Sequence, residues 1–515
     1  MKKIVLSLMM AITSLSYGQN DIEEIEKKAQ KGDAIAQYNL GSAYFEGKGV
    51  AKSYEQAVYW LIKSAEQGNA DAQDILGIAY RFGLGVTQSH EKAVYWWTKS
   101  AEQGNNHSTQ YILGRAYYLG EGIEQSYKRA VYWIRKSAEQ GDAVAQEHLG
   151  RIYHKGEGVS QSYEQAVYWF RKSAEQGDAD AQYNLGNAYY NGKGVSQSYE
   201  QAVYWYRKSA EQGDADAQFN LGRAYDKGKG VSQSYEQAVY WFRKSAEQGN
   251  ADAQLVLGRA YDKGEGVAQS SEKAVYWWRK SAEQGNALAQ YILGNVYYMG
   301  KGIAKSYEEA VYWWTKSAEQ GNTDAQFNLG RAYYYGEGIA QSYEQAVYWW
   351  RKSAEQGNAF AQYNLGNAYY IGEGVSQSYE KAVYWWRKSA EQGNADAQYE
   401  LGIAYYKGAV VAQSYEQAVY WLRKSVEQGN ARAQAALGAA YYYGQGVPQS
   451  YEQAVYWVRK SAEQGNADAQ YLLALAYYKG EGVTQSYEQA VYWFGKACEK
   501  GNEKACLMFN KIKSK

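Results

Sequence analysis

Proline is almost missing from this chain: Pro448 is the single one in 515 residues, against an ordinary usage of about 5%. Proline is tolerated at helix starts and in loops but breaks helix interiors, so its scarcity fits a chain that is nearly all helix. Cysteine is rare too, with two residues, and histidine stands at four: His90, His107, His148 and His154. The histidines are scattered, and His148 and His154, six apart, fall on different sides of a helix, which makes no convincing metal site. The cysteines lack a metal-like partner set, so no cofactor is expected. Excess charge is also missing: 55 Lys and Arg balance 55 Asp and Glu. That argues against a nucleic-acid binder or a polybasic membrane protein. No segment reaches the roughly 20 apolar residues that span a bilayer, so stable membrane insertion is not expected. The loop glycines, as in G-K-G-V and G-E-G-V, are not followed by the Lys-Ser/Thr of a phosphate-binding loop.

What the chain has in abundance is aromatic residues, 56 tyrosines and 18 tryptophans, too many for low-complexity disorder. They are periodic. Trp60, Trp96, Trp133, Trp169, Trp205, Trp241, Trp277, Trp313, Trp349, Trp385, Trp421, Trp457 and Trp493 follow one another at steps of 36 residues, except for one step of 37 between Trp96 and Trp133. Self-similarity at such a period marks a solenoid, one continuous array whose units touch only their neighbours.

The N-terminus reads as a secretory signal over residues 1–18. Lys2 and Lys3 precede an apolar run from Ile4 to Ile12, and Ser16 and Gly18 are small residues placed for cleavage before Gln19. The mature protein is then expected outside the cytoplasm, periplasmic or secreted.

One unit shows the logic. Asp178 stands at an N-cap position, and Ala179, Ala181, Leu185, Ala188 and Tyr189 give the first helix one apolar face. Gly192 and Gly194 turn the chain, the first as a left-handed cap. Ser198 and Gln201 are spaced as a capping box at the start of the second helix. There Ala202, Trp205, Tyr206, Ser209 and Ala210 form the packing stripe, and Gly213 closes the unit. Thirteen such units occupy residues 33–501. Residues 19–32 precede them as a capping segment, with a charged helix from Asp21 to Gln30. Residues 502–515 follow as a C-terminal cap whose Leu507, Met508 and Ile512 are expected to cover the last apolar face. Two irregularities stand out. The stretch Asn105 to Gln110 carries the extra residue, and Val410 replaces the second loop glycine, where a shifted loop is expected because valine is strained at positive φ.

The recurring pattern A-x-A-Q-Y-x-L-G-x-A-Y-x-x-G-x-G-V-x-x-S-Y-x-x-A-x-x-W-x-x-K-S-A-E-Q-G resembles the Sel-one-like repeat (SLR) family, a branch of the tetratricopeptide superfamily, over almost the whole mature chain. The resemblance implies an all-α, right-handed solenoid of antiparallel helix pairs and work as an adaptor or scaffold binding protein or peptide partners. The stretch KACEKGNEKAC, Lys496 to Cys506, resembles the repeat turn of cysteine-rich secreted SLR proteins, which implies a disulfide between Cys498 and Cys506 that clips the terminal cap. The chain is expected to act as a monomer.

Carried over from the tetratricopeptide pattern, the concave face comes from the first helices. Three positions of each share a face: two before the Leu of Leu-Gly, one after its Gly, and the residue following the later Tyr. They form a ladder: Tyr111, Arg115 and Tyr118; Arg151; Tyr183, Asn187 and Tyr190; Phe219, Arg223 and Asp226; Arg259; Asn295; Phe327, Arg331 and Tyr334; Tyr363, Asn367 and Tyr370. Tyrosine and arginine are enriched in binding hot spots, and arginine grips carboxylates with paired hydrogen bonds. The ladder is the expected binding face; the bland alternative is that its tyrosines pack neighbouring helices and its arginines pair with nearby acids.

Two other readings are weighed. Ser89 to Lys92, Ser270 to Lys273 and Ser378 to Lys381 spell S-x-x-K, a pattern of penicillin-recognising serine enzymes, but they fall on the helix-capping position. With the family resemblance this leaves a β-lactam-binding or hydrolysing protein as a minor alternative to a non-enzymatic one. The other is a purely structural envelope component.

Overall fold

The computed structural model describes residues 19–104, 106–408 and 410–513. The signal-like stretch, Asn105, Ala409 and the terminal pair of residues lie outside them. Among the described residues there are 28 helices and no strand. The chain divides into two compact units, Met1–Ala253 with Glu265–Ala268, and Gln254–Gly264 with Gln269–Lys515. In the first unit successive helices from Gln19–Gln30 to Tyr235–Glu247 pack on one another, and in the second those from Ser271–Glu283 to Glu503–Lys513 do the same, so each is a stack of helix pairs.

The fifth repeat shows why. Its first helix is Ala179–Asn191, with the Asp178 carboxylate accepting from the Ala181 N–H, and Gly192 closes it at φ 67°. Its second is Tyr199–Glu211, with the Ser198 hydroxyl accepting from the Gln201 N–H. The capping box is only half made. The Ser198 N–H does not take the Gln201 side chain; it donates to the Tyr189 carbonyl of the first helix at 3.0 Å. The loop thereby staples the hairpin to itself. The second helix ends on Gln212, not on Gly213, which follows at φ 103°.

Two glycines set the packing distances. A Cβ on Gly186 would stand 2.6 Å from the Tyr206 ring, so the first helix lies directly on the second. Gly194, at φ 74°, rests on the preceding repeat, where a Cβ would come within 2.2 Å of the Tyr163 carbonyl oxygen. Valine fills this loop position at Val410. Among the described residues no residue but glycine has a positive φ, so the loop there takes another course, as the sterics of valine require.

Small residues and rings build the core. Ala181, Leu185, Ala202, Trp205, Tyr206 and Ala210 are all buried. Threaded through it is a polar relay that hydropathy does not announce. Gln182, 3% exposed, donates to the Ala174 carbonyl at 3.1 Å and accepts from Gln212 at 2.8 Å, so one amide ties three successive helices. The same relay recurs with Gln146 and Gln176 and with Gln326 and Gln356, each at 2.8 Å. These three buried amides thus have partners on both sides, as burial demands; Gln470 donates to the Ala462 carbonyl, but its Oε1 has no partner among the described residues.

At the start, Gln19–Gln30 lays Ile22 and Ala29 against Leu40 of the first repeat. At the end, Cys498 and Cys506 are joined in a disulfide, with Cα atoms 4.6 Å apart. The final helix, Glu503–Lys513, buries Ala505 and packs Met508, Phe509 and Ile512 against Phe494. Leu507, expected in that cover, is instead 73% exposed. Helical spacing puts residues 505, 508, 509 and 512 on one face, and Phe509 takes the expected leucine's place.

Candidate functional site

The ladder positions lie along the first helices, mostly half-buried, and the structure sorts them by what their polar atoms already do. In the first compact unit, Tyr111 and Tyr118 both meet the His148 ring edge to face, at 5.9 and 5.0 Å between centroids. The Tyr118 hydroxyl donates to Glu157 in the next loop at 2.6 Å; burial and that carboxylate push its pKa up to about 12. Burial, helped by the charges of Arg151 and Arg115, pulls His148 down to about 4, so its imidazole is neutral at neutral pH. Tyr183 leans on Tyr206 at 6.1 Å, and Tyr190 meets Tyr199 at 5.2 Å.

The ladder's asparagines are held by their carbonyl oxygens. Asn187 Oδ1 accepts from the Tyr206 hydroxyl at 2.7 Å. In the second unit, Asn295 Oδ1 accepts from Trp314 Nε1 at 3.0 Å and from Asn328 at 2.9 Å, and Asn367 Oδ1 accepts from Trp386 Nε1 at 2.9 Å. Each serves the buried ring that lies against the preceding glycine. Tyr334 is likewise occupied, its hydroxyl donating to Glu373 at 2.9 Å.

The arginines behave differently. Where arginine follows Leu-Gly, the facing residue of the second helix carries no hydrogen-bond donor in three cases: Ile134 for Arg115, Phe170 for Arg151 and Phe242 for Arg223. Opposite Arg259, Trp278 Nε1 turns to the Leu255 carbonyl at 3.2 Å; opposite Arg331, Trp350 Nε1 has no partner among the described residues. Arg151 reaches Glu147 at 3.8 Å. The Arg223 guanidinium lies 5.8 Å from the Phe219 ring centre. Among the described residues no ion pair holds Arg115, Arg223, Arg259 or Arg331.

Two carboxylates intrude at the ladder's first position, where most repeats have an aromatic residue. Asp74 accepts from the Thr109 hydroxyl at 2.7 Å, and burial pushes it up to about 6. Glu147 accepts from Asn184 at 3.2 Å, and burial pushes it up to about 7 against the pull of Arg151.

The ladder's third position also forms a seam between repeats. It meets a loop residue 39 positions later: Tyr118 with Glu157 and Tyr334 with Glu373 as above, Tyr406 with Gln445 at 2.6 Å, Tyr442 with Glu481 at 2.7 Å, and Asp262 with Lys301 at 2.6 Å. Arg81 and Glu121, 40 apart across the inserted residue, pair at 2.6 Å.

The serines of the S-x-x-K patterns are helix caps: Ser89, Ser270 and Ser378 each accept from the backbone N–H of the lysine three residues on. Among the described residues no group of three or more His, Cys, Asp or Glu is gathered to hold a metal ion, and no helix is long and apolar enough to cross a membrane.

The helix pairs, their loops and their relay define a repeat protein of the solenoid class. The Sel1 repeat model matches thirteen consecutive segments, from residues 34–69 to 467–502, and the chain belongs to the Sel1 repeat family. A solved structure of a protective antigen present in uropathogenic Escherichia coli strains, displaying an SLR fold, is 36% identical, covers 95% of this chain and 97% of its own, and superposes with a TM-score of 0.70. A Sel1 repeat protein from Oxalobacter formigenes is 32% identical over 60% of this chain and 89% of its own, with a TM-score of 0.51. Among curated proteins, the secretory immunoglobulin A-binding protein EsiB of Escherichia coli O6:H1 is 42% identical over 65 residues, 12% of this chain and 13% of that protein. Proteins of this family generally serve as protein-interaction scaffolds.

Proposed function

We propose that this protein is an exported, non-enzymatic scaffold that binds a protein or peptide partner along the first-helix face of repeats three to ten. The observation that carries the reading is the recurring arginine. Arg115, Arg223, Arg259 and Arg331 occupy one position of the repeat, beside apolar or aromatic neighbours, with donors that no ion pair consumes among the described residues. A scaffold stabilising only itself has no use for guanidinium groups held in that state, whereas an interface does. The asparagines and tyrosines of the same ladder shape and stiffen that face.

The disulfide favours an oxidising compartment, in keeping with a cleaved leader. The mass of protein recovered from the periplasm and medium tests this: a mature chain starting at Gln19 is expected, and an intact Met1 chain retained in the cytoplasm would end the export reading. The capped serines favour a non-enzymatic role, and nitrocefin hydrolysis by pure protein would contradict it.

The name of EsiB makes secretory immunoglobulin A the first partner to try. Surface-immobilised immunoglobulin is titrated with the natural chain and with the triple variant Arg223→Ala, Arg259→Ala, Arg331→Ala. Binding that weakens at least about tenfold in the variant supports the face proposed here. Equal binding by both proteins moves the site elsewhere on the scaffold.

A further inference from the structure

Two cavities open side by side on the first-helix face of repeats four to six, with volumes of about 350 and 190 Å³, and they share Asn187 and Asn191 as a common wall. Their charged lining is of one sign. Arg151, Lys155 and Lys193 line the first, and Arg223, Lys227 and Lys229 line the second. No carboxylate lines either cavity, in a chain whose acidic and basic residues balance. Nearby acids offset part of this charge: Glu157 stands 3.6 Å from Lys155, Asp226 2.9 Å from Lys227, and the buried Glu147 3.8 Å from Arg151. Lys193, Arg223 and Lys229 are left against aromatic rings rather than carboxylates: Lys193 over Tyr163 at 5.2 Å, Arg223 over Phe219 at 5.8 Å and Lys229 over Tyr199 at 4.9 Å.

The inter-repeat seam fails at the same place. At the pairs named above its two members are complementary, tyrosine with glutamate or glutamine, aspartate with lysine, arginine with glutamate; between repeats six and seven Asp226 and Glu265 are two acids. Between repeats four and five the members are His154 and Lys193, an imidazole and an ammonium. Between five and six they are Tyr190 and Lys229, which meet only as a ring and an ammonium at 5.5 Å. Burial, with the charges of Lys193 and Lys155 adding to it, holds the His154 imidazole below its usual pKa. Two consecutive seam positions, Lys193 and Lys229, thus hold an ammonium that no seam acid answers, a departure from local consistency of the kind that marks functional places.

We propose that this groove holds an acidic peptide segment of a partner protein, its side-chain carboxylates gripped by Arg151, Lys193, Arg223 and Lys229 on either side of the Asn187–Asn191 wall. The inference deepens the scaffold reading and rests on it. A carboxylate-bearing peptide fits better than a long polyanion. A polyanion gains affinity by neutralising many charges along an extended track, whereas here the uncompensated cations are few and confined to three repeats. Arginine donates in the planar fork that carboxylates accept, and the lysines supply steering charge at the rim.

Fluorescence anisotropy of fluorescein-labelled octaglutamate, titrated with the full chain at salt of about 20 and about 200 mM, tests the proposal. The double variant Lys193→Glu, Lys229→Glu is designed to fold, because glutamate already occupies this loop position at Glu157, Glu337 and Glu373, where tyrosine hydroxyls are bonded to it. The expected result is saturable binding, weaker at the higher salt, reduced at least about tenfold by the double variant and unchanged by Lys388→Ala, on a second helix in the other compact unit. The variant is also expected to melt no lower than the natural chain. Failure to bind octaglutamate, or binding indifferent to the two reversals, overturns the proposal. A clear preference for a heparin oligosaccharide of equal charge overturns its assignment to a peptide. Loss of immunoglobulin binding in the triple arginine variant, with no octaglutamate binding by the natural chain, would sink this inference and leave the scaffold reading standing.

Discussion

Asn187 accepts the hydroxyl proton of Tyr206 at 2.7 Å, across the contact where the first helix of the fifth repeat lies on the second. The tyrosine is 2% exposed, so its hydroxyl finds no water there and depends on that amide. Asn187→Ala should therefore cost about 1–3 kcal/mol, and Tyr206→Phe about 1 kcal/mol. The combination Asn187→Arg, Tyr206→Phe copies the pair Arg223 and Phe242 found one repeat later. It should cost clearly less than the sum of its parts, because the orphaned hydroxyl disappears with its acceptor. Urea unfolding of the natural chain, Asn187→Arg, Tyr206→Phe and the double variant measures the coupling; additive costs would contradict the pairing.

Acidity should stabilise the fourth repeat through Glu147. Burial raises this carboxyl from 4.5 to about 7, so the folded chain holds the proton more tightly than the unfolded one. Stability is then highest below about pH 4.5 and falls as pH rises through the window up to about 7. Asp74 acts in the same sense, up to about 6. His148, held down to about 4, acts oppositely, losing stability as pH falls below its ordinary value of 6.5. Comparison of the natural chain with Glu147→Gln isolates the carboxyl. The variant should gain on the order of 1–3 kcal/mol at pH 7.5 and nothing at pH 4. A constant difference across that range would mean the carboxyl does not titrate differently on folding.

Reduction of the Cys498–Cys506 bond should loosen the last helix and little else. The bridge closes a span of eight residues, for which the loop-entropy contribution is below about 3 kcal/mol. In an array of nearest-neighbour contacts the loss stays near the end. Hydrogen exchange should show faster amide exchange in Glu503–Lys513 after reduction and unchanged protection in the second to tenth repeats. Global loss of protection would show that the terminal cap controls the whole stack.

Gln182→Leu keeps volume but removes both bonds of the relay, leaving the Ala174 carbonyl only local backbone donors and the Gln212 amide its bond to the Gly177 carbonyl. A cost of about 1–3 kcal/mol is expected, against near-neutrality for the same change at the exposed Gln201. Thermal denaturation of both variants decides; equal melting temperatures would remove the relay from the forces holding the stack.

Most of the fold was legible from period and punctuation. The thirteen tryptophans, the cap serines and the loop glycines each fall where the helices begin, pack and end, because these features are local and repeat. Side-chain partners between repeats were less legible. The capping box at Ser198 misled because spacing cannot show that the Tyr189 carbonyl is nearer to its N–H than Gln201. Leu507 misled because hydrophobicity alone does not choose between neighbouring helical positions. The ladder's asparagines looked unengaged because only the fold brings Asn187 Oδ1 beside a residue 19 positions later. Yet the signal was present: after Leu-Gly, asparagine occurs with Tyr206, Trp314 or Trp386 at that spacing, each a ring that can donate.

The seam of residues 39 apart exceeds the length of one repeat, so each repeat carries the closing half of one pin and the opening half of the next. Units of this chain are therefore not interchangeable tiles. Loss of the fifth repeat would bring His154 to Lys229 in place of Lys193, an exchange of like for like. Loss of the fourth would bring Tyr118 to Lys193 and forfeit its bond to Glu157. Recombination within such a gene meets uneven resistance along its length, and the groove of repeats four to six lies where one shortening passes unnoticed and the next does not.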